Sequence, residues 1–285
     1  MSPEPRVRER RGIPLRAVVP NAVTALALCV GLTGVRFAIA EEWDLAVAMI
    51  VLAAVLDGMD GRIARALKGQ TRFGAELDSL SDVIAFGASP AIILHLWSLQ
   101  NLPSWGWVFA LAYAACMALR LARFNARIDV EDQPHKSAGF NTGVPAPAGA
   151  GLLLLPIIVW LASERQWTWL ADYRIVAPWA AFVAFLAISS LATFSWGSLR
   201  LRRKVRLEAI VVIALLGGAL VSVPWQTLTV CGIAYLAMIP FSVMSYARIK
   251  RQRASATPLA PATSPSPATA SREKPRRSPP NTPLS

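Results

Sequence analysis

The chain has 285 residues, of which 54% are apolar and only 16% charged, yet its formal net charge is +12. That is too apolar for an ordinary soluble domain and too varied for a disordered chain, and the charges are grouped between long stretches that contain none. Soluble architectures are nearly excluded, and the fold class expected is all-α, a polytopic membrane helix bundle.

Residues 1–19 form a basic N-terminal segment with five arginines, followed by 19 uncharged residues between Arg16 and Arg36. A membrane helix needs about 20 apolar residues, so the first span is expected over 20–40. A basic head before an apolar run imitates a secretory leader. The run exceeds the usual leader core of about 7 to 15 residues, however, and no small-residue cleavage site follows it, so the leader is the weaker reading. The second span, 44–66, contains only 12 uncharged residues, 45–56, and must carry charges at one end.

Two uncharged stretches, 83–119 with 37 residues and 209–247 with 39, are long enough to cross twice. At about 1.5 Å per residue each is nearly double a hydrocarbon thickness of about 30 Å, and so reads as a helical hairpin. Gln100, Asn101 and Pro103 break the first, and Pro224, Trp225 and Gln226 the second. Uncharged runs of 27 residues between Lys136 and Glu164 and of 25 between Arg174 and Arg200 supply one span each. The expected domain, 20–247, therefore holds about eight transmembrane helices: 20–40, 44–66, 76–98, 105–124, 146–163, 175–198, 208–223 and 226–247.

With eight helices, 26 of the 29 Lys and Arg fall on one side, leaving only Arg36, Arg165 and Arg174 on the other. Basic residues near span ends stay cytoplasmic, which puts both termini and the basic loops inside the cell, with the chain in the inner (plasma) membrane. Residues 248–285, rich in Pro, Ser, Ala and basic residues, are expected to be a disordered cytoplasmic tail. The juxtamembrane charge suits anionic lipid headgroups, and no nucleic-acid partner is expected. Cys29, Cys116 and Cys231 lie in apolar runs without ligand spacing and read as buried small hydrophobes. His95 reads as packed or polar-bonded and His135 as solvated.

Acidic residues are scarce, yet Asp57, Asp60, Asp78 and Asp82 gather at the cytoplasmic ends of helices 2 and 3. Spacings of three and four put each pair on one helix face, and the short link 67–73 makes the two helices antiparallel neighbours. Four converging carboxylates in a partly desolvated site need a cationic partner. Salt bridges to Arg62, Arg65, Lys68 and Arg72 are the bland solution. Bound Mg²⁺ or Mn²⁺ is the other, since hard oxygen donors suit those ions and a shared carboxylate can hold two about 4 Å apart, as in phosphoryl transfer. Gly58, Gly61, Ala64 and Gly74 leave little bulk nearby, which suits a large ligand and equally suits tight helix packing.

Read in full, Asp57-x2-Asp60-Gly61-x2-Ala64-Arg65-x8-Gly74-x3-Asp78-x3-Asp82 fixes eight residues over 26 positions. It resembles the signature of the CDP-alcohol phosphatidyltransferases, dimeric membrane enzymes that exchange the CMP of a CDP-linked lipid for an alcohol. Glu76-Leu-Asp-Ser-Leu-Ser-Asp82 with Phe86-Gly87, Arg120-Leu-Ala-Arg123-Phe124-Asn125 and Gly143-Val-Pro145-Ala-Pro147-Ala resemble the bacterial branch of that family that uses serine. The likeness runs over about residues 19–150; helices 6 to 8 match only in general character.

The resemblance implies transfer of a phosphatidyl group from CDP-diacylglycerol to L-serine, giving phosphatidylserine and CMP, by a homodimer. It implies that Asp57, Asp60 and Asp78 hold one divalent ion, that Asp57, Asp78 and Asp82 hold the second, and that Asp82 accepts the proton of the attacking hydroxyl. Gly61, Ala64, Arg65, Thr71 and Gly74 occupy positions that bind the CDP part, although Arg65 could simply snorkel. Arg120 and Arg123, with Asn125 nearby, are candidates for the serine carboxylate because an Arg fork matches it, although the positive-inside rule also accounts for both arginines. Rival readings are another acceptor, such as glycerol 3-phosphate or an inositol phosphate, and a cation transporter. The transporter is disfavoured because the acids cluster at one face with no matching polar set in the later helices.

Overall fold

The structure is a computed structural model that describes residues 15–126, 140–142, 144–189, 192–194 and 206–256. α1 (Leu15–Ile39) and α2 (Trp43–Ala66) pack along their length as a hairpin. Gly34 allows the close approach, since a Cβ there would stand 3.0 Å from the Ala46 carbonyl oxygen. α3 (Arg72–Asp82) passes through a π-helical turn (Val83–Ala88) into α4 (Ser89–Trp97), a single rod of 26 residues. α5 (Gly106–Ala126), α6 (Ala146–Leu153), α7 (Leu155–Ala162), α8 (Tyr173–Ile188), α9 (Arg206–Ser222) and α10 (Pro224–Ala256) follow. A short ladder pairs β1 (Phe140–Thr142) antiparallel with β2 (Ala192–Phe194), Asn141 opposite Thr193.

Prolines shape the interior. Pro90 offers no N–H to the carbonyl four residues earlier, and the buried Tyr113 hydroxyl donates to that Phe86 oxygen at 3.0 Å. Pro156 does the same to Leu152, whose oxygen accepts from Trp179 Nε1 at 2.9 Å. Both of these freed carbonyls are thus met by an aromatic donor from a neighbouring helix, as a medium without water requires. The core lies around these joints: Tyr113, Met117, Leu152, Leu153, Ile157 and Val176 are fully buried.

The two ends of the bundle differ. At one, Arg165 pairs with Asp44 at 3.6 Å and Ser98 Oγ donates to the Ala171 carbonyl at 2.8 Å, gathering the links after α1, α4 and α7. Trp105, Trp107, Trp167 and Trp169 are exposed there, as an interfacial aromatic belt would be. At the other end lie the basic link between α2 and α3 and the last turns of α5 and α8, joined by a hydrogen bond from Arg123 to the Ile188 carbonyl at 3.1 Å.

Among the described helices, three are long and apolar enough to cross a bilayer: Val18–Ile39, Arg72–Trp97 and Gly106–Ala126. Tyr173–Ile188 is apolar but shorter. Several expectations change. The span expected over 146–163 is two helices, broken ahead of Pro156. The span expected over 175–198 stops at Ile188, with Ser189 extended and residues 192–194 in the ladder. α10 continues past residue 247 to Ala256, so the tail expected from 248 begins as helix. Cys29 and Cys231 face outward, on apolar helix surfaces, and only Cys116 is half-buried. His95 packs edge-on against Trp107, ring centres 5.1 Å apart. His135, Gly143 and residues 257–285 lie outside the described residues.

Candidate active site

Asp57 and Asp60 sit in the last turns of α2, and Asp78 and Asp82 near the end of α3. Oxygens of Asp57, Asp60 and Asp78 lie within 4.8 Å of one another. Asp60 is only 5% exposed. Asp82 stands outside that trio, within hydrogen-bond reach of Asp57 and with Asp78 and Arg120 as its other charged neighbours. The π turn begins at the residue after Asp82, a local unwinding that resets the helix face beyond the acids.

The link between the two acidic helices is built locally. Lys68 takes a left-handed conformation, φ 50°, while Gly69 N–H closes on the Ala64 carbonyl at 3.0 Å, ending α2. Thr71 Oγ1 then accepts from Gly74 N–H at 3.0 Å, capping α3. The acidic helices are not packed directly on each other along their length, as the short link suggested; α1 is the shared partner of both.

α1 also supplies site residues that the spacing of the acids does not reveal. The buried Thr24 hydroxyl donates to Asp60 Oδ2 at 2.6 Å, and Ser81 Oγ donates to the Thr24 carbonyl at 3.1 Å. Asn21 Oδ1 occupies the space beside Gly74, where a Cβ would stand 2.7 Å from it. The signal in the sequence is two polar residues, Asn21 and Thr24, one turn apart in a run otherwise nearly free of hydrogen-bonding side chains.

Among the described residues no arginine or lysine neutralises the cluster. The only ion pair there is Arg165 with Asp44, at the far end of the bundle, so Arg62, Arg65, Lys68 and Arg72 leave the aspartates unpaired. Two ionised carboxylates about 5 Å apart repel by about 3 kcal/mol at an effective dielectric near 20. Three acids held at that spacing, with one hydroxyl as their hydrogen-bond donor, suit a hard divalent cation in chemistry and number, and the donor set fits Mg²⁺ or Mn²⁺.

The remaining candidates fall in different places. Gly58 and Gly61 face open space, where an added Cβ would meet nothing within 4 Å, and Arg65 is exposed close by. Ala64 and Gly74 are half-buried, and Thr71 is exposed with its oxygen engaged as a cap. Asn125 Nδ2 donates to Ser79 Oγ at 2.8 Å, tying α5 to α3 beside Asp78. Arg123 is engaged with the end of α8, whereas Arg120 turns inward toward Asp82.

The CDP-alcohol phosphatidyltransferase family pattern matches residues 17–188, and a second pattern, CDP-alcohol phosphatidyltransferase 2, matches residues 204–240. The chain is similar to the CDP-diacylglycerol--serine O-phosphatidyltransferase of Mycobacterium tuberculosis (strain ATCC 25618 / H37Rv), with 39% identity over 244 residues, 84% of this chain and 82% of that one. The Mycobacterium bovis protein of the same name is 38% identical over 240 residues, with the same coverage. That of Helicobacter pylori (strain ATCC 700392 / 26695) is 34% identical over 140 residues, 49% of this chain and 57% of its own.

Proposed function

The chain belongs to the CDP-alcohol phosphatidyltransferase family, and we propose that its reaction is the transfer of a phosphatidyl group from CDP-diacylglycerol to L-serine, giving phosphatidylserine and CMP. The serine acceptor is supported by the names of the relatives that share most of its length. The observation that carries the reading is the trio of unpaired carboxylates on two helices of the family's motif.

Asp57, Asp60 and Asp78 would hold one divalent ion, and Asp57, Asp78 and Asp82 a second. Bound there, the ions would supply charge neutralisation for the lipid diphosphate and for the leaving CMP. The protein's own groups do the rest. The open ground over Gly58 and Gly61 admits the nucleotide diphosphate, and exposed Arg65 is a charge partner for it. Ala64, Thr71 and Gly74 shape the neighbouring turn. Asp82, set apart from the trio, accepts the proton of the serine hydroxyl as its oxygen attacks the phosphorus joined to diacylglycerol. The bond from that phosphorus to CMP breaks in the same displacement, so no protein nucleophile is required.

Arg120 is the favoured partner for the serine carboxylate, with Asn125 positioning α3 from α5 and Arg123, bonded to the end of α8, the second candidate. The same reading puts about eight spans in the inner (plasma) membrane as a homodimer, with the site and both termini facing the cytoplasm.

The test is purified protein with CDP-diacylglycerol, Mg²⁺ or Mn²⁺ and a panel of alcohols, following CMP release. Serine-dependent release that EDTA abolishes, and that Asp82→Asn lowers by at least about 100-fold, is expected from loss of a general base. Release with glycerol 3-phosphate or an inositol phosphate but not serine reassigns the acceptor. Cation flux without nucleotide turnover rejects the enzyme reading.

A further inference from the structure

Beside the acids the structure holds a second polar group of a different kind. Arg120, half-buried on α5, has Asp82, Tyr113 and Tyr235 as its ionisable neighbours. It forms no ion pair within 4.0 Å among the described residues, and its one hydrogen-bond partner there is the Met117 sulfur at 3.9 Å on its own helix. Its Nε is buried without a partner. Tyr113 is spent, since its hydroxyl donates to Phe86. Tyr235, from α10, is not: its hydroxyl is buried and also has no partner among the described residues. Two buried donors left unmet in the same neighbourhood cost free energy that a shared acceptor would recover.

We propose that Tyr235 of α10, together with Arg120, forms the pocket for the anionic group of the alcohol acceptor, making Tyr235 a specificity residue. The proposal rests on the serine reading above and extends it to a helix that the acidic motif does not contain. The position is chemically apt. In serine two carbon atoms separate the reacting hydroxyl from the carboxylate, so when the hydroxyl is at Asp82 the carboxylate falls among the groups next to Asp82. Arg120 supplies a charge and a planar fork, and Tyr235 a neutral O–H from α10. Both groups donate, which selects for an anion and against an amine. A phosphate acceptor would find one cation there, whereas a carboxylate is matched by it.

The experiment compares wild type with Tyr235→Phe and Tyr235→Gln in detergent, measuring KM for serine and for CDP-diacylglycerol, together with the ratio of kcat/KM for serine over serine methyl ester. Losing a hydrogen bond to a charged ligand lowers binding by about tenfold or more. Tyr235→Phe should therefore raise the serine KM by about that factor, leave the CDP-diacylglycerol KM within about twofold, and shrink the preference for serine over its ester. Tyr235→Gln, which keeps a donor, should stand between the two. An unchanged serine KM in Tyr235→Phe, or equal rises for both substrates, overturns the proposal. If the phenylalanine protein does not survive purification, the glutamine variant decides by the same split. Failure of the underlying reading looks different: wild-type protein would then release no CMP with serine at all.

Discussion

Thr24 shows how much one side chain outside the motif can matter. Its hydroxyl donates to Asp60 at 2.6 Å while its carbonyl takes a hydrogen bond from Ser81, so it ties a carboxylate of α2 to the helix that carries Asp78 and Asp82. Carboxylates that must share a cation need fixed geometry, and a charge-assisted hydrogen bond supplies it. Thr24→Val keeps the shape and removes the donor. It should raise the Mg²⁺ or Mn²⁺ concentration for half-maximal CMP release by about tenfold, in line with a loss of about 1.5 kcal/mol for a bond to a charged group. It should also shrink the metal-induced rise in melting temperature, and Thr24→Ser should restore both. A metal dependence that does not move would mean that Thr24 only packs. The acids themselves were legible in the sequence because spacings of three and four fix a helix face whatever the fold. Thr24 was not, because its partner is 36 residues away and no local period links them.

At the scale of elements, charge counting located helices well where charges bound them and poorly where they do not. α2 starts and stops within a residue of expectation because Asp44 and the basic link mark it. α8 ends at Ile188, ahead of expectation, because polar but uncharged Ser189 and the extended strand after it are invisible to a search for charges. The split between α6 and α7 follows from Pro156, which was present in the sequence but whose effect depends on whether a neighbour can serve the freed carbonyl. Trp179 does so, and Tyr113 does the same for Phe86. Trp179→Phe and Tyr113→Phe should each destabilise the protein by about 1 to 3 kcal/mol, the cost of leaving a buried polar group unpaired. Thermal unfolding in detergent checks this. A melting temperature equal to wild type in both would show that the carbonyls find other partners. Tyr113→Phe should act on folding alone, whereas Tyr235→Phe acts on serine, although both tyrosines flank Arg120.

Across the whole molecule, among the described residues, exposed tryptophans gather at one end and the basic link between α2 and α3 lies at the other. The exposed indoles of Trp105, Trp107, Trp167 and Trp169 share an end with the Arg165–Asp44 pair, and the acidic site shares the other with Lys68 of the link and Arg72 at the start of α3. Outward faces between the ends are apolar, with Leu26, Leu52, Leu111, Leu119 and Phe185 exposed, as lipid contact requires. The proposed reaction draws a water-soluble substrate from the cell interior, and the basic link beside the site favours the inner face, so the proposal has the site open to the cytoplasm. Single cysteines in a background where Cys29, Cys116 and Cys231 are replaced by serine test the orientation directly. A cysteine at Lys68 should resist a membrane-impermeant maleimide in spheroplasts with intact inner membranes and react once they are permeabilised. A cysteine at Glu164 should react in both. Labelling of the Lys68 position in intact spheroplasts would turn the molecule over and point its carboxylates away from the cytoplasm. The serine reaction would then lose its supply, and the reading of the site would fall with the topology.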